Sequence, residues 1–401
     1  MKTVAIIAEY NPFHNGHLYQ IEKIREELGE DTAIIAIMSG NYTQRGDLAF
    51  MDKWARAKSA VLAGVNLVLE LPFPYSISSA EFFAKAGVHI ADSIGVVDVL
   101  SFGAESNDID ELSSAAKRMS TEEYKATLDK LIADYENTNV GYPEIAEAAY
   151  QKLYCTNPPK STSNNILALE YIKAIIEKGS TIIPHTIKRH GADYNETSTV
   201  ETGHQSATAI RSLISKNIDS ANEYIPYTTF ETILSERQNG AFPINESSLD
   251  AAVITKLRLD SSDAECDIHD AKGGLYNRIK SASLSAQDIP TLQALSVTKK
   301  YTNARIKRAI WYSYFGVTSS DIKNPPMYTQ LLAMDKIGQA LLKKIKKTTG
   351  FPILTKPSTP LEGEAQAQKN RSDKADLVYQ MTKPVDKDGK NIYRKSPFVK
   401  G

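Results

Sequence analysis

The sequence has few cysteines, almost no net charge and no long apolar run. Its two cysteines, Cys155 and Cys266, are far apart and lack metal-ligand spacing, so we expect free thiols in a reducing cytosol. Lys and Arg number 47 against 48 Asp and Glu, a net charge of -1, which excludes a generic polyanion binder and leaves only local basic patches for nucleic acid. Because no apolar run approaches the roughly 18 residues of a membrane helix, we expect a soluble, cytoplasmic protein without membrane contact.

Short apolar runs alternate with helical patterns through the first hundred residues. Four runs have the length and β-branched content of buried parallel strands, and they begin at Val4, Ala33, Leu67 and Val96. The helical patterns between them cover residues 17–28, 52–63 and 80–92. This order predicts right-handed βαβ units and a doubly wound parallel sheet of the α/β class. Ligands bind such sheets at the carboxyl ends of the strands, which makes the loops after Ala8, Met38, Leu71 and Phe102 the candidate site.

The chain divides into three predicted segments. A helix over Asn164–Gly179, a strand from Thr181 and a helix starting at Ser206 complete an α/β domain over residues 1–215. Residues 216–350 have mainly helical patterns. Residues 351–401 are richer in Pro, Lys, Asp and Gly, so we expect a small C-terminal element or a loose tail.

The segment from Glu9 to His17 contains the strongest functional signal. Gly16 admits a ligand with no Cβ in the way, and His14 and His17, three apart at a helix start, project on one side. Free backbone N–H groups at a helix N-terminus suit a triphosphate. The alternatives are turn histidines or half of a metal site, but no third ligand stands at a fixed spacing nearby. The strand-then-helix context therefore favours an ATP phosphate site.

A second signal lies in the segment Gln205 to Arg211. The hydroxyls of Ser206 and Thr208 and the cation of Arg211 fall within one turn at a helix start, where they could bind phosphates. Ser206 could equally be a plain N-cap. Taken alone, this segment does not decide between the two interpretations.

The two segments resemble the signature motifs of the nucleotidylyltransferase superfamily, an HxGH motif after strand one and an ISSTxxR-like motif opening a later helix. The second motif departs from that pattern at Gln205 and Ala207. Over nearly the whole chain, the sequence is similar to the bacterial tRNA(Met) cytidine acetate ligase family. Ala168 stands where that family's pattern has Gly. The matching segments are Ala8 to His17, Met38-Ser39-Gly40-Asn41, Gln44-Arg45-Gly46, Asp52-Lys53-Trp54, Glu70-Leu71-Pro72, Ser101-Phe102-Gly103, Asn164-Asn165-Ile166-Leu167, Asn277-Arg278-Ile279-Lys280 and Tyr301-Thr302 to Arg308.

The resemblance implies a fold and a reaction. The fold is a nucleotidyltransferase domain of the HUP-like Rossmann type, followed by a mainly helical C-terminal region. The reaction uses ATP, with Mg²⁺ expected, to convert acetate into acetyl-adenylate and pyrophosphate. The acetyl group then passes to the exocyclic amine of the wobble cytidine in elongator tRNA(Met), and AMP leaves.

The resemblance also implies a set of site residues. His14, His17 and Arg211 are expected to be catalytic, since attack by an ionised carboxylate needs charge stabilisation more than a base. Gly103 and Asn165 are expected to hold the nucleoside. Lys188 and Arg189 would add positive charge, or they form a solvated basic pair. Gln44 and Arg45, after the second strand, could face the site. The full set expected to bind ATP is Ile7, Ala8, Glu9, Tyr10, Asn11, Pro12, Phe13, His14, Asn15, Gly16, His17, Gly103, Asn165, Lys188, Arg189, Ser206 and Thr208.

Basic residues in the helical region form the candidate RNA surface. Tyr301 lies among them, and a mix of Tyr and Arg favours RNA over a merely solvated face. The candidates are Arg278, Lys280, Lys299, Lys300, Arg305, Lys307 and Arg308, with a second basic run at Lys343, Lys344, Lys346 and Lys347.

Two other functions stay open at this stage. A nucleotidyltransferase that joins AMP to a small phosphorylated substrate would share the histidine motif but would not need the basic helical region. A non-catalytic RNA-binding protein could keep the ATP pocket as a relic, although the intact His14, His17 and Arg211 argue against this. Composition and spacing alone indicate no oligomeric state.

Overall fold

The computed structural model describes residues 1–106, 108–135, 138, 140–188, 205–260, 267–383 and 396–401. Within these ranges one sheet contains eight strands. The strands are β1 (Thr3–Ala8), β2 (Ala33–Ser39), β3 (Leu67–Leu71), β4 (Val99–Ala104), β5 (Ile183–Lys188), β6 (Thr329–Met334), β7 (Ile353–Leu354) and β8 (Phe398–Val399).

Sixteen α-helices lie in the same described ranges. They are α1 (Asn15–Leu28), α2 (Lys53–Leu62), α3 (Ala80–Ser93), α4 (Ile109–Met119), α5 (Glu122–Asp134), α6 (Tyr142–Tyr154), α7 (Ser163–Lys178), α8 (Ala207–Lys216), α9 (Tyr227–Gln238), α10 (Asp250–Leu259), α11 (Leu275–Ser283), α12 (Ile289–Ser296), α13 (Asn303–Phe315), α14 (Ser319–Lys323), α15 (Lys336–Thr348) and α16 (Gly363–Gln380).

The predicted doubly wound sheet is confirmed. The strand order is β5-β4-β1-β2-β3-β6-β7, and all pairings among β1 to β5 are parallel. The sequence pattern predicted that the fourth strand starts at Val96, but it starts at Val99. The side chain of Asp98, just before it, binds the backbone of β1. Its carboxylate accepts the backbone N–H of Thr3 at 2.7 Å. The residues before Val99 therefore form a loop and not a strand.

One strand of the sheet comes from residues 216–350, the segment that was predicted to be mainly helical. β6 pairs antiparallel with β3, from Leu67 opposite Met334 to Leu69 opposite Leu331. β7 and β8 then add to β6. The sheet thus contains residues from both sides of position 215. The division of the chain into domains at residues 215 and 350 stays a prediction.

Two apolar clusters cover the faces of the sheet, as a parallel sheet requires. Side chains such as Ile35 and Leu69 pack on one face with α3, α7 and α15. Ile34 and Val68 pack on the other face with α1 and α2. A third cluster joins α10, α11, α13 and α16. Because the two faces hold the strands rigidly, the loops at their carboxyl ends are presented from a fixed frame.

The C-terminal segment forms a helix that locks onto the loop after β2. The segment was expected to be a small element or a tail, but α16 is 18 residues long. The carboxylate of Asp376 accepts a hydrogen bond from the side chain of Asn41 at 2.8 Å and forms an ion pair with Lys53 at 2.5 Å. Tyr379 donates to the carbonyl of Ala49 at 2.7 Å. This helix therefore ties residues 41–53 to the rest of the fold.

Two expectations concern cysteine and the membrane. Cys155 is an exposed free thiol, while Cys266 lies outside the described residues. Among the helices of the described residues, none is long and apolar enough to cross a membrane.

Candidate active site

A cavity of about 450 Å³ lies at the carboxyl ends of β1, β4 and β5. Ala8, Gly103 and Lys188, at or near the ends of these strands, contribute to its wall. This is the position at which parallel α/β sheets bind ligands, and the volume is in the range of small-molecule and cofactor sites. The cavity-lining residues that the sequence predicted are Ile7, Ala8, Glu9, Tyr10, Asn11, His14, Gly16, His17, Gly103, Lys188 and Ser206.

The imidazole rings of His14 and His17 stack on the cavity wall. Their centroids are 3.8 Å apart and their planes meet at 29°. Tyr10 and Phe13 hold the ring of His17 from other sides, at centroid distances of 4.9 and 5.4 Å. Both histidines are thereby fixed by their neighbours before any ligand arrives.

Backbone hydrogen bonds determine which nitrogen of each ring carries the hydrogen. Nδ1 of His14 accepts the N–H of Gly16 at 3.1 Å, and Nδ1 of His17 accepts the N–H of His14 at 3.2 Å. A neutral imidazole has one donor and one acceptor nitrogen, so both rings carry their hydrogen on Nε2. The pair can therefore offer two N–H donors to the oxygen atoms of an anion.

The backbone at the start of α1 differs from the sequence expectation. Free N–H groups were expected there, but the first three are engaged within the protein. Asn15 N–H donates to the carbonyl of Tyr224, Gly16 N–H to Nδ1 of His14, and His17 N–H to the carbonyl of His14. His14, which caps the helix, accepts two of these N–H groups and Tyr224 accepts the third, so the imidazoles, and not these backbone groups, are the candidates for contact with a phosphate.

The turn between β1 and α1 is held from several directions. Tyr10 has φ of 47°, a left-handed conformation that is costly for a bulky residue and is found mainly where the surroundings enforce it. Asn11 accepts the N–H of Phe50 at 2.7 Å, and the side chain of Asn15 donates to the carbonyl of Glu223 at 2.8 Å. Pro12 and Phe13 are buried beneath the turn. These predicted residues serve the shape of the turn.

Arg211 and its neighbours on α8 support the same turn. The guanidinium of Arg211 donates to the carbonyl of Asn11 at 2.8 Å and to the hydroxyl of Thr208 at 3.1 Å. Ser206 caps α8 by accepting the N–H of Ala209 at 3.1 Å, and it also lines the cavity. The second predicted motif therefore lies against the first, and Ser206 combines the cap with a place at the cavity.

Asn165 has a structural environment that the sequence did not predict. Its side chain is buried, accepts the N–H groups of Glu105 and Ser106 at 3.1 Å each, and donates to the carbonyl of Lys160. Its neighbour Asn164 lines the cavity. A sequence pattern cannot tell which of two adjacent asparagines faces the cavity. Arg189, the predicted partner of Lys188, lies outside the described residues.

The loop after β2 brings further groups to the cavity. Gln44 and Arg45 line it, and Arg45 donates to the hydroxyl of Ser163 at 3.0 Å. The N–H of Gln44 donates to the carboxylate of Glu9 at 2.8 Å, and burial raises the pKa of that carboxyl group. The loop and the end of β1 are thus bonded to each other.

Arg56 is a buried support beneath these loops. It is fully buried and donates to the carbonyls of Met51 at 2.9 Å, Glu9 at 2.5 Å and Ser39 at 3.1 Å, and also to Gly40. Burial lowers its pKa. Because a single side chain binds the loops after β1 and β2, we expect both loops to depend on it.

The predicted RNA residues lie in different environments. Lys299 is exposed, and the guanidinium of Arg278 bonds the carbonyls of Leu295, Ser296 and Val297 at the end of α12. Lys307 is ion-paired with Asp47 at 2.6 Å. The second predicted basic run lies on α15. Its four lysines are exposed on the face of the helix that points away from the sheet, and they are Lys343, Lys344, Lys346 and Lys347.

Arg308 is the largest departure from the predicted surface. It is buried, pairs with Asp270 and lines the cavity that contains His14 and His17. The other predicted residues nearby are half-buried, namely Lys280, Lys300 and Arg305. The charge of Arg308 is therefore presented inside the cavity.

Among the described residues, no group of three or more His, Cys, Asp or Glu side chains has an arrangement that could hold a metal ion. Any cation that accompanies a nucleotide here would be held mainly by phosphate and water oxygens, as Mg²⁺ commonly is.

Comparison with known proteins gives consistent matches along the chain. The family described as HIGH Nucleotidyl Transferase matches residues 1–393. The tRNA(Met) cytidine acetate ligase of Acetivibrio thermocellus is 36% identical over 374 residues, which cover 89% of each chain. The enzyme of the same name from Clostridium acetobutylicum is 32% identical and covers both chains completely. A crystal structure of Thermotoga maritima TmcAL bound with alpha-thio ATP has a TM-score of 0.89 and 30% identity, and the match covers all of each chain.

Proposed function

The chain belongs to the HIGH nucleotidyl transferases and, among them, to the tRNA(Met) cytidine acetate ligase family, and from this membership we propose that it joins acetate to a cytidine of tRNA(Met) at the expense of ATP. The target is the wobble cytidine of elongator tRNA(Met), and the product is N4-acetylcytidine. The observation that supports the proposal most strongly is the stacked His14–His17 pair on the wall of a nucleotide-sized cavity.

Activation of acetate comes first. A carboxylate oxygen attacks the α-phosphorus of ATP, the bond to the β-phosphate oxygen breaks, and pyrophosphate leaves. Negative charge grows on the phosphate oxygens in the transition state. The Nε2–H groups of His14 and His17 stabilise that charge, and they cost little reorganisation because Tyr10 and Phe13 already fix the rings. Arg211 acts on the same turn through the carbonyl of Asn11.

Transfer of the acetyl group comes second. The exocyclic amine of cytidine is a weak nucleophile because its lone pair is delocalised into the ring, so it needs an acyl donor with a good leaving group. In acetyl-adenylate that leaving group is AMP. The amine nitrogen forms the amide bond, the acyl–phosphate bond breaks, and one proton leaves the nitrogen.

The remaining components follow from the substrates. Gly103, Lys188 and Ser206 contribute to holding ATP, as do the cavity-lining residues from Ile7 to His17. Mg²⁺ accompanies the triphosphate and needs no cage of protein ligands. The basic residues from Lys299 to Arg308 bind the RNA. We place the reaction in the cytoplasm, where tRNA, ATP and acetate are available together.

The direct test is a product assay. The protein is incubated with ATP, labelled acetate and bulk tRNA, and the RNA is digested to nucleosides. We expect labelled N4-acetylcytidine, formed only when ATP is present. Labelled RNA without acetylcytidine, or acetylcytidine formed without ATP, would contradict the proposal.

A further inference from the structure

One wall of the cavity comes from α13 and not from the parallel strands or the helices that follow them. Thr302, which caps α13, and Ala304 and Arg308 in its N-terminal half line the same space as His14 and His17. Arg308 is the cation that this wall contributes. Arg308 thus adds a positive charge on the α13 side of the cavity, apart from the histidines on the β1–α1 side and from Arg45 and Lys188, which also line it.

The carboxylate of Asp270 holds Arg308 and is also ion-paired with Arg305, whose guanidinium is bonded in addition to the backbone carbonyls of Asp270 and Lys272. Oδ2 of Asp270 accepts a hydrogen bond from Nε–H of Arg308 at 2.8 Å and lies 2.6 Å from a terminal nitrogen of the same guanidinium. Oδ1 of the same residue lies 3.1 Å from Nε of Arg305. Asp270 has φ of 60°, a left-handed conformation that Asp and Asn adopt more readily than other side chains. The backbone at this point therefore aims one carboxylate at two guanidinium groups.

The three side chains form a path from the surface to the cavity. Side-chain exposure falls from 32% at Arg305 through 16% at Asp270 to 8% at Arg308. At the outer end, the guanidinium of Arg305 lies over the ring of Tyr301 at 5.2 Å, and Lys300 lies 5.8 Å from the same ring. Lys307, on the same helix, is ion-paired with Asp47. The path therefore joins the exposed part of the RNA surface to the cavity through Asp270.

We propose that Asp270 is a positioning residue for the RNA substrate, holding Arg305 and Arg308 so that the RNA backbone is bound where the target nucleotide enters the cavity. This inference rests on the proposed function. Arg305 binds a phosphate of the RNA backbone outside, where a guanidinium group suits phosphate, and the buried ring of Tyr301 lies against that guanidinium. Arg308 binds the segment that reaches inside. Asp270 is ion-paired with both arginines and acts through them.

The competing explanation is a purely structural ion pair. A buried pair of this kind can be neutral for stability, yet breaking it is costly because a buried charge loses its partner. The two explanations differ in what they predict for the two half-reactions. If Asp270 is only structural, its substitution lowers the rates of both half-reactions in proportion to the folded fraction. If it positions RNA, the substitution lowers the rate of acetyl transfer to tRNA alone.

The test compares Asp270→Asn with Asp267→Asn. Asparagine also tolerates the left-handed backbone, so Asp270→Asn removes the charge and keeps the shape. Asp267 is the matched control, because its carboxylate is 57% exposed and lies 3.8 Å from Lys272. For each variant and the wild type, acetate-dependent exchange of pyrophosphate into ATP and acetyl transfer to tRNA are measured in the same preparation.

For Asp270→Asn we expect kcat/KM for tRNA to fall by about 10-fold or more, the scale of one missing charge-assisted hydrogen bond, with exchange within about twofold of wild type. The salt dependence of tRNA binding should also become flatter, by about one unit of slope for each RNA phosphate that the variant no longer binds. The control should match wild type in both assays. An equal fall in exchange and transfer, or unchanged tRNA kinetics and salt slope, would overturn the inference. A wild type that forms no acetylcytidine would instead refute the proposed function.

Discussion

His14 and His17 stack at 3.8 Å, and a backbone N–H bonds Nδ1 of each ring. The histidine pair is thus built into the cap of α1, and each ring keeps Nε2–H as its donor. The same atoms that begin the helix prepare the phosphate site, so a mutation at either residue touches folding and chemistry together.

The two roles of His14 can be separated by substitution. His14→Asn keeps a good N-cap residue, whereas His14→Ala removes both cap and imidazole. We expect ATP turnover to fall by about 100-fold in both variants, and in His17→Ala, because each loses a transition-state donor. His14→Ala and His17→Ala should each also lose about 1 kcal/mol of unfolding free energy, because each removes one acceptor of the cap of α1, whereas His14→Asn should not. Steady-state kinetics and urea denaturation measure the two effects. Near-normal turnover in a His14→Ala, His17→Ala double variant would refute the site assignment.

The buried ammonium of Lys53 should matter far more for stability than a surface lysine. It contacts Glu70 at 2.7 Å and Asp376 at 2.5 Å with almost no exposure. Burial lowers the pKa of Lys53, but the two carboxylates outweigh this effect and hold the pKa above its ordinary value, so the amine stays charged.

Lys53→Met would leave two carboxylates buried together, and we expect a loss of about 3–5 kcal/mol in unfolding free energy. Lys85→Met is the control, since Lys85 pairs with Glu81 at 39% side-chain exposure and such pairs contribute about 1 kcal/mol or less. Denaturant titration of both variants gives the comparison. Similar losses at the two positions would contradict the importance of the Lys53 cluster.

His89 should make the protein less stable in mild acid. Burial, and next the ammonium of Lys178 at 3.3 Å, lower its pKa from 6.5 to about 4. Between these two values the unfolded chain binds a proton that the folded protein does not, so this residue's contribution to stability is present above pH 6.5 and is lost as the pH falls towards 4. In His89→Gln the unfolding free energy should fall less steeply over that interval. If the unfolding free energy depends on pH equally steeply in the variant and the wild type, the lowered pKa of His89 is contradicted.

The sequence predicted the first half of the sheet well because that half is locally encoded. Runs such as Ala33–Ser39 are continuous and β-branched, and each is followed by a helix with a clear start. The helix predicted over Asn164–Gly179 is α7, which Gly179 ends in the left-handed conformation. Asp52 caps α2 through the N–H of Ala55, and Trp54 lies in the core.

The later elements depend on contacts that are distant in sequence. β6 is a strand because β3 offers an edge much earlier in the chain, with Leu67 opposite Met334, 267 positions apart. α16 buries Gln368, Ser372 and Ala375, small or polar side chains that give no apolar periodicity. A pattern search finds neither element, because the partner surface supplies the missing information.

The charged residues show the same limit. A run of Lys and Arg in sequence predicts a basic surface, but the carboxylates of Asp47 and Asp270 determine which cations remain at that surface. The histidine motif was easier to predict because strand, turn and helix are adjacent in the chain. The arginine that reaches the same cavity from α13 could only be found in the folded protein.

Acetate is activated before RNA takes part in the proposed reaction, and isotope exchange tests this central claim most directly. The groups assigned to that step are His14 and His17 on the cavity wall and Arg211, which supports their turn through the carbonyl of Asn11, so tRNA is not needed for it. With ATP, acetate and labelled pyrophosphate, and without tRNA, we expect label to enter ATP at a rate that depends on the acetate concentration. Exchange that ignores acetate would contradict the claim and favour a nucleotidyltransferase that joins AMP to another substrate.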